Sequence, residues 1–151
     1  MLQISPTITE LQEIALQLPD RIPYLKMLVL FGSRARGDTH AKSDWDFAAL
    51  CDEELREKSC KNRGFAWFEI PVILGKAFSL NIDEIDVVEL HRCSQPIAHF
   101  IARDGILLYE KEPGEFEKFK ETYLLSDAEL KELERQLFQN IQDFLKEWGL
   151  V

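Results

Sequence analysis

The sequence predicts an α/β fold, a small mixed sheet of about four strands with flanking helices and further helices at the C-terminal end. Mostly apolar runs at 24–31, 45–50, 84–90 and 106–110 have the length of strands, and segments with helical spacing precede, separate and follow them. The 151 residues suffice for one domain with a real core. Apolar residues make up 46% and charged residues 30%, which is typical of a globular chain.

A helix and a strand, separated by two prolines, are the first predicted elements. Thr7 and Glu10 fit a capping box, and apolar residues follow them at helical spacing. Pro19 should end this helix, and Pro23 fixes the turn before the strand at 24–31. Because this strand is mostly apolar, we expect it to be buried on both faces of the sheet.

The segment between the first two strands is short and polar. A short helix or turn is predicted at 34–38, followed by a polar loop at 39–43 and the second strand at 45–50. Residues 52–63 are charged and lack a clear period, so we predict a loop that contains at most one helical turn.

The middle of the chain is rich in bulky apolar residues. Helix is predicted over 64–80, where Pro71 must either kink the helix or begin a second piece. A third strand is predicted at 84–90, a helix at 97–102 and a short strand at 106–110.

After the breaker cluster at 111–114, only helix is predicted. Ser126 and Glu129 fit a second capping box and open a long amphipathic helix. Its apolar stripe consists of Leu130, Leu133, Leu137, Ile141, Phe144, Leu145 and Trp148. Packing on the core is the favoured role of this stripe, and a partner interface is the alternative. We therefore predict a core at 1–112 and, within the same domain, a helical extension at 113–151 that packs on it.

Composition excludes several classes of protein. The three cysteines form no Cys-x-x-Cys pair, which predicts reduced thiols and no structural zinc site. The net charge of −9 argues against direct nucleic-acid binding, and hence against a template-directed polymerase. We expect no contact with a membrane, because no apolar stretch is long enough to cross a bilayer. The first six residues carry no secretory signal, so the predicted location is cytoplasmic.

Two aspartates at the start of the second strand suggest a metal site. Asp44 and Asp46 are two residues apart, so their side chains would share one face of a strand. Such close carboxylates repel each other unless a cation lies between them. Mg²⁺ suits this position, because it takes a few carboxylate oxygens and completes its shell with water and phosphate. The alternative is a pair of loop acids that cap a neighbouring helix.

The Gly32-Ser33 pair supplies a candidate phosphate site. Glycine lets the backbone come close to a ligand, and a helix that begins here would direct N–H groups at a phosphate. Metal on one side and phosphate on the other is the arrangement that phosphoryl or nucleotidyl transfer requires. A Walker A loop is excluded, because Gly37 is followed by Asp38 where that loop has lysine.

The string from Gly32 to Asp46 resembles the signature of the DNA polymerase β superfamily of nucleotidyltransferases: Gly-Ser, a spacer, then Asp-x-Asp among apolar residues. The fuller string Gly-Ser-Arg-Ala-Arg-Gly…Ser-Asp-Trp-Asp resembles the minimal nucleotidyltransferases, specifically the MntA antitoxins encoded beside HEPN-domain HepT toxins. The resemblance extends over about residues 24–110.

This resemblance implies roles for several residues. Asp44 and Asp46 would hold two Mg²⁺ ions, with a third carboxylate from a neighbouring strand as general base. Asp86 is the best candidate, since an acid inside an apolar strand is costly unless it is paired or binds a metal. Its rivals lie nearer the ends of that strand: Asp83, Glu84 and Glu89.

Three polar residues of the string are further candidates for binding ATP. Arg34 and Arg36 would either grip the β- and γ-phosphates of ATP or lie on the surface. Ser43 would either contact phosphate or shape the loop before Asp44.

The resemblance also implies a reaction and a partner. AMP would pass from ATP to a tyrosine hydroxyl of a HEPN ribonuclease toxin, with release of pyrophosphate. The alternatives are a small-molecule nucleotidyltransferase of the aminoglycoside type and a non-catalytic module that neutralises the toxin by contact alone.

Overall fold

A computed structural model describes residues 4–39, 43–61 and 63–150 of the chain. It contains one four-stranded sheet with the strand order β3-β2-β1-β4. The strands are Leu25–Phe31 (β1), Trp45–Cys51 (β2), Ile85–Glu89 (β3) and Ile106–Glu110 (β4). β1 is antiparallel to both β2 and β4, whereas β2 and β3 are parallel. The sheet is therefore mixed, as the sequence predicts.

Helix α1 spans Ile8–Ala15 and begins with the predicted capping box. The Thr7 hydroxyl accepts a hydrogen bond from the Glu10 amide, and the Glu10 carboxylate accepts one from the Thr7 amide. The chain then forms a separate 3₁₀ turn at Leu18–Asp20 that has Pro19 in its first positions. Proline suits a helix start, where its missing N–H would have no intrahelical partner.

Helix α2 spans only Ser33–Arg36, between Gly32 at its N-terminal end and Gly37 at its C-terminal end. The polar loop predicted at 39–43 follows, and residues 40–42 of it lie outside the described residues.

Helix α3 spans Glu53–Cys60, and the prediction of a loop at 52–63 is wrong here. Asp52 caps the helix by accepting a hydrogen bond from the Leu55 amide at 3.0 Å. The buried residues of α3 are Arg56 and Cys60. Because one of them is charged, the buried face of this helix leaves no apolar period in the sequence.

Pro71 begins a second piece rather than kinking one long helix. A 3₁₀ segment at Gly64–Phe68 is followed by helix α4 at Glu69–Phe78, which has Pro71 in its first turn. At that position the absence of an N–H costs no hydrogen bond of the helix.

Helices cover both faces of the sheet. One core cluster joins the sheet to α1 and α4 and includes Leu11, Phe47, Ile70, Leu74 and Phe78. The second cluster lies on the other face, against helices α5 (Gln95–Asp104) and α6 (Glu115–Tyr123). Its members include Met27, Ala48, Ile101, Phe116 and Phe119.

Helix α7 spans Asp127–Glu147 and begins with the predicted capping box at Ser126. Every residue of α7 is described, and none is buried. The sequence favours packing of its stripe on the core, but in the structure several large apolar side chains of this helix are exposed: Leu137, Phe138, Ile141 and Phe144. Among the described residues, no helix has both the length and the apolar character needed to cross a bilayer.

Candidate active site

Gly32 links the end of β1 to α2 and lies against Asp46. Its backbone has φ 74° and ψ −159°, a region that is open almost only to glycine. A Cβ atom at this position would overlap the Asp46 carboxylate. The turn therefore needs glycine both for its backbone conformation and for its distance from the carboxylate.

Asp46 lies between two other strands of the sheet. Its register partner on β1 is Phe31, the residue before Gly32, and its partner on β3 is Asp86. Paired strands lie about 4.8 Å apart, so the two aspartates are immediate neighbours. On β2, Phe47 belongs to the first core cluster and Ala48 to the second. By alternation, Asp46 faces the side of the sheet that carries α5 and α6.

The electrostatics of Asp46 reflect these neighbours. Burial raises the pKa of its carboxyl, and the charges of Asp86 and Asp44 raise it further. Arg36 opposes the shift and lowers this pKa. Three carboxylates and one guanidinium are therefore close enough to influence one another, and negative charge is in excess.

The three predicted carboxylates differ in exposure. Asp44, directly before β2, is exposed, Asp46 is half-buried and Asp86 is exposed. The argument that singled out Asp86 as a buried acid in an apolar strand therefore does not apply. What distinguishes Asp86 is its register opposite Asp46. Its rival Glu89 is instead ion-paired with the buried Arg56.

The two arginines of α2 have different surroundings. Arg34 donates from Nε and Nη2 to the Ser43 carbonyl, at 3.2 and 2.7 Å, and its guanidinium lies 4.2 Å from the centre of the Trp45 ring. Arg36 is 44% exposed and forms an ion pair with Asp38 at 3.3 Å. Ser33 is the first residue of α2, and this four-residue helix is too short to carry much of a dipole.

The carboxylates suit a cation that also binds phosphate. Across residues 4–39, 43–61 and 63–150, no three His, Cys, Asp or Glu side chains converge closely enough to form a metal site by themselves. Mg²⁺ requires less, since it commonly takes one or two carboxylates and fills its shell with phosphate oxygens and water. The excess negative charge around Asp46 and the close approach of Gly32 fit such a cation beside a bound phosphate.

Two interactions near the site could not be predicted from the sequence. The contact of Arg34 with Ser43 and Trp45 depends on a loop whose path has no sequence signal. The pair between Arg56 and Glu89 joins α3 to β3, and a charged residue in an unperiodic segment gives no sign of burial.

Comparison with protein families identifies the group. The profile of the family described as "Polymerase beta, Nucleotidyltransferase" matches residues 12–114. The protein adenylyltransferase MntA of Aphanizomenon flos-aquae (strain 2012/KM1/D3) is 54% identical over 145 residues, which cover 96% of this chain and 97% of that protein.

Solved structures share the fold at lower identity. A chain of a toxin–antitoxin crystal structure with AMP-PNP is 23% identical to this chain, with a TM-score of 0.60. The alignment covers 89% of this chain and 98% of that chain. A chain of the structure of tri-AMPylated Shewanella oneidensis HEPN toxin in complex with MNT antitoxin is 20% identical to this chain, with a TM-score of 0.58. That alignment covers 92% of this chain and 99% of the other chain. The fold and the family predicted from the sequence are both confirmed, and the chain belongs to the polymerase β nucleotidyltransferase family, within the group of the protein adenylyltransferase MntA.

Proposed function

We propose that this chain is the antitoxin of a HEPN/MNT pair and transfers AMP from ATP to a tyrosine hydroxyl of its HEPN ribonuclease toxin. The proposal rests on the position of Asp46, which lies between Asp86 on β3 and the Gly32 turn at the end of β1. The 54% identity to a protein adenylyltransferase supports a protein acceptor. Modification of the toxin would silence its ribonuclease activity.

The transfer is a substitution at the α-phosphorus of ATP. The tyrosine oxygen forms the new bond to phosphorus, and the bond between the α-phosphorus and the bridging oxygen breaks, so pyrophosphate leaves. Asp86 accepts the proton of the tyrosine hydroxyl. The Gly32-Ser33 turn holds the triphosphate, and Arg36 and Ser43 contribute to ATP binding.

Asp44, Asp46 and Asp86 would hold Mg²⁺, with two ions as the expected number. When bound, Mg²⁺ would neutralise phosphate oxygens and favour ionisation of the attacking hydroxyl. The half-buried Asp46 anchors this set, since it lies on an interior strand, whereas the exposed Asp44 and Asp86 can reach water and substrate.

Transfer of label from ATP tests the proposal. The chain is incubated with Mg²⁺, ATP labelled at the α-phosphate and the HEPN toxin encoded beside it. We expect label on the toxin and loss of its ribonuclease activity. Replacing both Asp44 and Asp46 by alanine should abolish transfer without unfolding the protein. Retained transfer in this variant would refute the site.

The same assay separates the two alternatives. Label that appears only on an added aminoglycoside would indicate a small-molecule nucleotidyltransferase. A stable complex with the toxin but no label on it would indicate neutralisation by contact. As parts of the proposal we retain a core at 1–112 with an extension at 113–151. A cytoplasmic location also belongs to it, since the reaction consumes ATP.

A further inference from the structure

The two arginines of α2 have different surroundings. The Arg34 guanidinium lies over the ring of Trp45, a residue of the first core cluster. The Arg36 guanidinium instead forms an ion pair with Asp38 within its own turn, and its side chain is 44% exposed. Although they are only two residues apart, Arg34 and Arg36 therefore have different neighbours.

Arg34 bridges the two halves of the site. It belongs to the turn that begins at Gly32, and two of its N–H groups bind the carbonyl of Ser43, the residue directly before Asp44. Ser43 is only 7% exposed, so its carbonyl is held in a largely enclosed place. The backbone that carries Asp44 is thus tied to the turn by a side chain.

The Arg34 side chain is supported by Trp45, which packs in the core. Trp45 is 4% exposed and stacks on Phe47, with 6.5 Å between ring centres, and Phe47 stacks on Phe78 of α4 at 5.5 Å. A guanidinium that lies over a buried indole gains cation–π attraction and loses freedom to swing towards a ligand.

Arg36 has no comparable support among its described contacts. Its ion pair with Asp38 lies within its own turn, and nearly half of its side chain is exposed. Because the Arg36 guanidinium is exposed to water, it can turn towards an anionic ligand with little loss of energy and form charge-assisted hydrogen bonds with it.

We propose that Arg34 is a positioning residue, which fixes Asp44 relative to the Gly32-Ser33 turn, and that Arg36 alone of the two contacts the phosphates. The inference rests on the proposed function, because it assigns parts of the same site. Lysine cannot replace Arg34, since an ammonium lacks the planar fork that donates two hydrogen bonds to one carbonyl while it lies over the ring. Lysine can largely replace Arg36, whose role requires only charge.

Four variants test this division: R34A, R34K, R36A and R36K. For R34A and R34K we expect kcat for AMP transfer to fall about 10- to 100-fold, because misplacement of a reacting group by about 1 Å has effects of that size. KM for ATP should stay within about twofold of wild type, since uniform substrate binding is retained. R36A should raise KM for ATP about tenfold, the equivalent of one lost charged contact, and R36K should restore most of it.

Metal binding gives a readout that does not need turnover. Mn²⁺ binding to the nucleotide-free protein is followed by the loss of the electron paramagnetic resonance signal of free Mn²⁺. We expect R34K to weaken Mn²⁺ binding about tenfold, because Asp44 is displaced, and outer contacts of metal ligands have effects of this size. R36K should bind Mn²⁺ as wild type does. Melting temperatures of all variants report whether the fold is intact, and R34K is the variant to use if R34A does not fold.

Two results would overturn the inference. One is an R34K variant with wild-type kcat and Mn²⁺ affinity, and the other is an R34A variant that raises KM for ATP with kcat unchanged. In the second case Arg34 binds phosphate. Absence of transfer by the wild-type protein would instead contradict the proposed function, and the Mn²⁺ comparison would still decide the role of Arg34.

Discussion

At the scale of single residues, Gly32 is constrained both by its backbone and by its neighbour. Its φ of 74° is unfavourable for any side chain, and an added Cβ would overlap the Asp46 carboxylate. Substitution of Gly32 by alanine should lower the free energy of unfolding by about 1–3 kcal/mol, because a non-glycine residue is strained in this backbone conformation. The same change should lower AMP transfer about 100-fold or more, because Asp46 is displaced. Steady-state transfer and urea unfolding measure the two effects.

Gly114 provides the matched control for this substitution. Its φ of 93° is also positive, yet a Cβ there would meet no atom within 4 Å. Gly114→Ala should therefore destabilise the protein, by no more than Gly32→Ala does, while leaving transfer unchanged. Equal loss of transfer in both variants would show that general destabilisation, rather than contact with Asp46, explains the effect of Gly32→Ala.

The Asp46 carboxyl is expected to reduce stability at neutral pH. Burial and the charges of Asp86 and Asp44 raise its pKa in the folded protein above the ordinary value of 3.8. The stability that this group confers is therefore fully present below pH 3.8 and is lost as the pH rises through the raised pKa. Asp46→Asn should raise Tm of the metal-free protein by a few degrees at neutral pH, and the gain should shrink as the pH falls toward 3.8.

Calorimetry without added metal measures this effect. Asp143→Asn, on the exposed surface of α7, is the control and should leave Tm unchanged over the same pH range. A lower Tm for Asp46→Asn at neutral pH would mean that the Asp46 charge is already compensated by the protein itself.

The candidate site could be predicted largely from the sequence, because its residues are either adjacent or in apolar strands. Gly32, Asp44 and Asp46 stand in one string with apolar runs before and after it. Asp86 is predicted from its place inside an apolar strand, a reason that its exposure does not support, and the register of β3 is what places it beside Asp46. The role of Arg34 could not be predicted, because it depends on how the loop returns to β2.

At the scale of elements, α3 is held to the sheet by charge. Arg56 is 3% exposed, is ion-paired with Glu89 of β3 and lies over the ring of Tyr24. Removing one partner of a buried pair typically costs about 3–5 kcal/mol, and the second carboxylate beside Arg56, that of Glu53 at 4.0 Å, should keep the cost at the lower end of this range. Glu89→Ala should therefore lower the free energy of unfolding by an amount of that order, as measured by urea denaturation.

Two further variants define what this result means. Replacing both partners, as in Arg56→Met with Glu89→Leu, should restore most of the lost stability, because both charges of the pair are removed. Glu132→Ala, which removes an exposed ion pair with Arg135 on α7, should produce no measurable change. An equally small effect for Glu89→Ala would show that water reaches Arg56 freely.

Helix boundaries followed local signals where those exist. The capping boxes at Thr7 and Ser126 mark real helix starts, and Pro71 falls in a first turn. The sequence does not predict α3, because helical periodicity is detected only when the buried residues are apolar, and the buried face of α3 includes an arginine. Its cap, Asp52, was visible in the sequence but is too common a residue to indicate a helix by itself.

At the scale of the whole molecule, the two C-terminal helices contribute very differently to stability. Phe116 of α6 is 6% exposed and belongs to the second core cluster, whereas Phe144 of α7 is 55% exposed. Phe116→Ala should cost about 3–5 kcal/mol, as buried phenylalanines do. Phe144→Ala should change the free energy of unfolding by no more than about 0.5 kcal/mol. Chemical denaturation of the isolated chain makes the comparison, and a large effect of Phe144→Ala would mean that α7 packs on the core in solution.

The sequence predicts the four strands of the sheet but not the position of α7, because the two patterns report different things. Strand length and apolar content report burial, and all four strands contribute buried residues. An amphipathic period reports only that one face of a helix prefers an apolar environment. It does not say whether that environment belongs to the same chain.

Asp46 lies on β2, which has a neighbouring strand on both sides. Amides in the interior of a sheet exchange with solvent mainly when the whole domain opens. Heating should therefore leave the spacing between the Asp46 carboxylate and the Gly32 turn unaltered until cooperative melting, so activity should vanish abruptly rather than fade. Adaptation of such an antitoxin to a colder or hotter host would then act on how readily the toxin reaches the site, since Asp46 and the Gly32 turn are held as firmly as the core.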